Sequence, residues 1–74
     1  MTLADVAQAW AEGRKAKATN MRTDGRKVWS FGLVIGHTVG GQKVAVDYRG
    51  MESGSTSRHC GLVIAHADLT REPS

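Results

Sequence analysis

Apolar residues recur along the chain at two spacings, and the change from one to the other separates helix from strand. Leu3, Val6, Ala7 and Trp10 fall at i, i+3, i+4 and i+7, one stripe of a helix. Thr2 stands before the stripe as an N-cap, and Asp5 sits where a capping box places an acid and the helix dipole favours one. Gly13 is placed to end the element, so the pattern predicts a first helix over residues 3–12.

Beyond Gly13 the pattern becomes one of strands and turns. Asp24-Gly25 predicts a two-residue type I′ turn, which needs positive φ at both positions, pairing a strand near 16–23 with one near 26–38. Gly40-Gly41 predicts a second such turn, leading to a strand near 42–49. In that register His37 opposes Val44, Ile35 opposes Val46 and Leu33 opposes Tyr48, all on one face. Phe31 and Trp29 extend this face, with Ala18 opposite Phe31 and Asn20 opposite Trp29. The other face carries Lys17, Thr19, Ser30, Lys43, Asp47 and Arg49 with Met21, Val28 and Val34, so it is predicted to be half wet. The first face is the predicted core, which helices must cover.

Ser53-Gly54-Ser55-Thr56-Ser57 supplies several N-cap residues ahead of a second helix, predicted over residues 57–68. A strand competes there, because Gly61-Leu62-Val63-Ile64 copies Gly32-Leu33-Val34-Ile35, and glycine and β-branched residues weaken a helix. Residues 70–74 read as a frayed tail. The predicted fold is α+β in two layers: a three-stranded antiparallel meander with a helix before and after, in the order α-β-β-β-α. One domain spans residues 1–74, with an ordered core over about 2–69.

A chain of 74 residues buries only about 60% of the surface its unfolded form exposes, so the core is thin. A catalytic site needs a dry, rigid pocket that a two-layer domain of this size rarely supplies, which favours binding over catalysis. The single cysteine, Cys60, makes no internal disulfide, which fits a reducing cytoplasm. Asp5 stands where a signal peptide would be basic, and no strongly apolar run is longer than Leu33-Val34-Ile35, so neither export nor a membrane span is expected.

Charge is unevenly spread. Arg14, Lys15, Lys17, Arg22, Arg26 and Lys27 stand against Asp24 alone over residues 14–27, a local +5 within a net charge of +3, which leaves −2 elsewhere. That asymmetry points to an anionic partner near this segment. Arg22 and Lys27 would face each other across the first hairpin, and like charges so placed destabilise a sheet by about 0.2–1 kcal/mol. Arg58 is the one firm cation at the start of the second helix. Ser55, Thr56, Ser57 and His59 beside it form a candidate anion-binding loop, where free amides and a helix dipole converge with hydroxyls; redundant helix capping explains the same residues.

His37, His59, His66 and Cys60 are ligand types that zinc uses, but none is spaced to hold two ligands together. His59 and His66 lie about 10 Å apart along a helix axis, so no metal and no cofactor is expected. Cys60 and His59 point about 100° apart on a helix, so they make no nucleophile and base pair, and Cys60 reads as a small buried hydrophobe. Trp10 and Trp29 read as core before they read as stacking platforms.

Two strings carry a resemblance: Asn20-Met21-Arg22-Thr23-Asp24-Gly25-Arg26-Lys27-Val28-Trp29-Ser30-Phe31-Gly32-Leu33-Val34-Ile35, and Ser55-Thr56-Ser57-Arg58-His59. They resemble small phage and prophage proteins with an Asn, a turn Gly, a Trp-Ser-aromatic strand and a later Thr-Ser-Arg-His opening a helix. The similarity covers about residues 13–67 and implies a setting, the host cytoplasm, with no activity carried over. Proteins of that kind commonly bind host machinery, anti-CRISPR inhibitors among them. The α-β-β-β-α order is also that of double-stranded RNA-binding domains, whose lysine-rich start of the second helix corresponds here to Arg58-His59-Cys60.

The sequence therefore predicts a non-catalytic, phage-type accessory protein that binds nucleic acid or a nucleoprotein complex through a basic hairpin. The alternatives are an anti-CRISPR-like inhibitor docking on a host defence protein and a double-stranded RNA-binding module. Exposed edges of the first and third strands also leave room for a second copy of the chain.

Overall fold

Two helices lie on one face of a six-stranded mixed sheet in the computed structural model, which describes residues 1–73. Helix α1 (Leu3–Ala11) forms as its stripe predicts, burying Val6, Ala7, Ala9 and Trp10. The capping box is complete: Thr2 Oγ1 accepts from the Asp5 amide, and the Asp5 carboxylate accepts from the Thr2 amide. Strands β1 (Ala16–Lys17), β2 (Met21–Thr23), β3 (Val28–Ser30), β4 (Leu33–Val39) and β5 (Gln42–Val46) follow, then helix α2 (Gly54–His66) and strand β6 (Leu69–Arg71). Spatial order equals chain order, and every neighbouring pair is antiparallel except β5 and β6, which run parallel across the α2 crossover.

The α+β class holds, but the three-stranded meander does not form. The long strand predicted over 26–38 is cut by a two-residue turn at Phe31-Gly32, with φ of +56° and +103°, which sets Ser30 opposite Leu33. The strand predicted over 16–23 folds back through residues 18–20, where the Ala18 amide donates to the Met21 carbonyl at 2.8 Å. The predicted frayed tail instead supplies β6, in register with β5 through Val44 and Leu69, Ala45 and Thr70, and Val46 and Arg71; residue 74 lies outside the described residues. With this order the topological likeness to double-stranded RNA-binding domains falls away. The sheet edges are β1 and β6. Among the described residues no helix is long and apolar enough to cross a membrane.

The first hairpin turns through residues 24–27, because Thr23 pairs with Val28. Asp24 Oδ1 accepts from the amides of Arg26 and Lys27 at 2.9 and 2.8 Å, an Asx-type turn that holds two more residues in the loop than a type I′ hairpin would. Arg22 therefore faces Trp29 and not Lys27, and the expected pairs of Ala18 with Phe31 and Asn20 with Trp29 do not occur. The Gly40-Gly41 hairpin does place His37 opposite Val44. Beyond it, Ile35 sits in a bulge and Gly36 pairs with both Val28 and Ala45.

The turn and the bulge exchange much of the two faces. Met21, Val28 and Ser30, expected to be half wet, are buried beneath the helices, while Trp29 and His37, expected in the core, lie half-buried on the open face, and Phe31 is exposed at its turn. Ile35, with Ala18, Leu33 and Tyr48 at the margin, does join the core of Trp10, Met21, Val28 and Val63. Helix α2 is capped by Ser53 and runs from Gly54 to His66, starting three residues and ending two residues earlier than predicted.

Gly36 is where both helices meet the sheet. A Cβ there would lie 2.7 Å from Val28 Cγ1, 3.0 Å from Trp10 Cζ2 and 3.1 Å from Val63 Cγ1, so a side chain at this strand position would force its core neighbours to shift. Gly61, in the middle of α2, has open space around the same built atom. Gly36→Ala is expected to destabilise the domain by about 1–3 kcal/mol through overpacking, whereas Gly61→Ala is expected to stabilise it by up to about 1 kcal/mol. Urea denaturation of the two variants beside the parent checks both signs.

Candidate functional site

The open face of the sheet carries a row of directly opposed residues across four strands. Lys17 on β1 pairs with Arg22 on β2, Arg22 with Trp29 on β3, and Trp29 with Val34 on β4. The like-charge pair is thus Lys17 and Arg22, one strand over from where the hairpin signal placed it. Arg22 lays its guanidinium over the Trp29 ring, with its central carbon 4.1 Å from the ring centre. This cation–π contact holds an otherwise flexible arginine against the indole, which is half-buried on the surface.

Trp29 divides two depressions. One, of about 340 Å³, is walled by Lys17, Asn20, Arg22 and Phe31; the other, of about 310 Å³, by Asp24, Arg26, Lys27, His37 and Thr38. Arg26 and Lys27 are exposed on a loop that is held from beneath. The Trp10 indole N–H and Thr38 Oγ1 both donate to the Arg26 carbonyl, at 2.9 and 2.8 Å, and Lys43 Nζ donates to the Gly25 carbonyl at 2.8 Å and to Thr38 Oγ1 at 2.9 Å. Lys43 lies 5.5 Å from the Trp10 ring centre, and burial lowers its pKa. It is a structural residue of the covered face, where the sequence placed it among solvated charges.

The remaining predicted cations are dispersed. Arg14 turns back to Glu12, its Nε donating to a carboxylate oxygen at 2.7 Å, and Lys15 is exposed before β1. Arg58 lines a third depression with Thr2, Ser55 and His59, behind the 18–20 turn from Arg22.

The candidate anion loop is largely committed elsewhere. Ser57 Oγ accepts from the Gly50 amide, and Ser53 Oγ donates to Thr56 Oγ1. Thr56 and His59 are buried, with the Ser30 hydroxyl 3.2 Å from Thr56 Oγ1 and 2.6 Å from His59 Nδ1. Donation running from Ser53 through Thr56 and Ser30 to His59 Nδ1 pairs all three hydroxyls, and in that arrangement the neutral imidazole carries its proton on Nε2. Ser30 is fully buried, so this serine and histidine pair is part of a core network. Only Ser55 of the loop is exposed and uncommitted. Cys60 is buried, and burial raises its thiol pKa.

Trp29 and Phe31 are the residues that sequence reasoning missed as surface groups. The signal lay in Gly32, since a glycine can mark a turn as readily as a position within a strand. Comparison with protein-family models, with curated proteins and with solved structures finds no match to this chain.

The buried network has a pH signature. Burial, and secondarily Arg58, lowers the His59 pKa, so folding favours the neutral ring. Stability from this site is complete above the unfolded histidine value of about 6.5 and is lost as pH falls through the lower folded value. The carboxylates of Asp5, Glu12, Asp24 and Asp47, held low by hydrogen bonds, titrate below that window. Melting temperature is expected to fall between about pH 7 and about pH 5, and less so in His59→Asn, whose amide can still meet Ser30; thermal scans across that range check it.

Proposed function

We propose that the chain binds nucleic acid, without catalysing a reaction, through the open face centred on Trp29. The observation that carries this is the row of Lys17, Arg22 and Trp29 in direct register, continued past the indole by Arg26 and Lys27. Among the described residues the ion pairs are Arg14 with Glu12 and Arg49 with Asp47, so these four cations have no carboxylate partner. The nearest acid in sequence, Asp24, spends one carboxylate oxygen on two backbone amides. Cations without an ion-pair partner around an indole, with Asp24 as the one acid in the lining, suit a ligand that offers phosphates and flat rings together, which an acidic protein surface does not. The resemblance to small phage and prophage proteins suggests an accessory role in that setting.

Binding of a labelled oligonucleotide of about 20 nucleotides, followed by anisotropy across a salt series, tests this. Arg22→Gln, Arg26→Gln and Lys27→Gln together are expected to weaken binding by about tenfold or more and to flatten the salt dependence by about one unit per cation lost. Arg14→Gln with Arg49→Gln, whose parent residues are already paired, is the control and should bind nearly as the parent does. Lys43→Ala is unsuitable as a control and is expected to lower the melting temperature, because it leaves the Gly25 carbonyl and Thr38 without their donor. Equal loss in the triple variant and the control would sink the reading.

A further inference from the structure

Phe31 is 59% exposed and occupies a backbone conformation, φ +56°, that bulky residues disfavour and that asparagine or glycine adopts readily. Its ring stacks on His59, with centroids 5.8 Å apart and planes 24° from parallel. Across the same 340 Å³ depression lies a cation–π pair, the Arg22 guanidinium over Trp29. Two flat groups, each backed by a ring that the fold holds in place, thus border one cleft, with Lys17 and Asn20 in its wall. Nucleobases stack on both phenyl rings and guanidinium planes, but only when they are free of a duplex, whose bases are already stacked and paired.

We infer that the ligand is single-stranded nucleic acid, with an unpaired base entering the cleft between Phe31 and the Arg22–Trp29 pair while Lys17 meets an adjoining phosphate. This rests on the nucleic-acid reading above and adds what that reading leaves open, namely that bases as well as phosphates are recognised. The backing of Phe31 by His59 accounts for an aromatic residue at a turn position that suits asparagine better. It also links the buried Ser30, Thr56 and His59 network to the surface it supports.

The test is competition against a labelled oligothymidylate of about 20 nucleotides by the unlabelled strand, by a duplex of that length, by an abasic strand with the same phosphates, and by heparin. The unlabelled strand is expected to compete about tenfold or more better than the duplex or the abasic strand, a difference of about 1.4 kcal/mol or more. Phe31→Asn, which suits the turn, is expected to melt at or above the parent temperature and to lose most of that preference. Equal competition by strand, duplex, abasic strand and heparin would overturn base stacking while leaving phosphate binding intact. An unchanged preference in Phe31→Asn would remove Phe31 from the site and overturn the cleft as proposed. Failure of any nucleic acid to bind would overturn both this inference and the reading beneath it.

Discussion

The close approach of two helices over Gly36 governs the rest of the molecule. Trp10 from α1 and Val63 from α2 converge on a strand position without a side chain, beside Val28. Truncating a fully buried tryptophan costs about 3–5 kcal/mol, a large share of the roughly 5–15 kcal/mol by which domains are stable. Packing Trp10 against the sheet therefore outweighs the preference of any single surface residue. Once the helices cover the face that carries Gly36, Arg22 and Trp29 are left on the other.

The covered face is not purely apolar, and its polar members decide how firmly the open face is held. Thr23 accepts from the Gly25 amide and donates to the Lys27 carbonyl, Lys43 and Thr38 reach the carbonyls of the 24–27 loop, and Ser30 joins Thr56 and His59. Among the described residues no buried side-chain polar atom lacks a partner. Each group left unpaired would cost about 1–3 kcal/mol, so these contacts must form together or the face cannot be buried at all. The cations of the first hairpin consequently stand on a loop tied to Trp10 and to β4, not on a loose tip.

That arrangement gives the surface charges a fixed spacing. Long basic side chains on a mobile hairpin would attract any polyanion weakly, whereas Arg22 lies against Trp29 and Phe31 stacks on His59, each in a set position. On the proposed reading, preorganisation of this kind reduces the ordering cost of binding and adds shape to charge in recognition. The open face is also asymmetric. Its far end, beside Val46 and Tyr48, is bordered by Arg71, Glu72 and Pro73, whereas among the described residues the depression walled by Lys17, Arg22, Trp29 and Phe31 is lined by none of these three.

Local interactions were legible in the sequence by itself: the α1 stripe with its Thr2 and Asp5 capping box, the Gly40-Gly41 hairpin with His37 opposite Val44, a second helix after the serine-rich segment, and the α+β class. Each depends on residues within a few positions of one another, where spacing and backbone preference suffice. The basic segment was legible too, since charge needs no fold to be counted. Only the tertiary structure decided which face is buried, because a turn at Phe31-Gly32 and a bulge at Ile35 change the alternation that a single long strand would have kept. It also decided that Ser30, Thr23 and Lys43 point inward, since a polar side chain can be buried only when a partner distant in sequence arrives to satisfy it. For the same reason the Trp29 and Phe31 surface was hidden from sequence reading: hydropathy assigns large rings to the core, and what keeps these two at the surface is the prior claim of Trp10, Met21 and Val28 on the space beneath the helices.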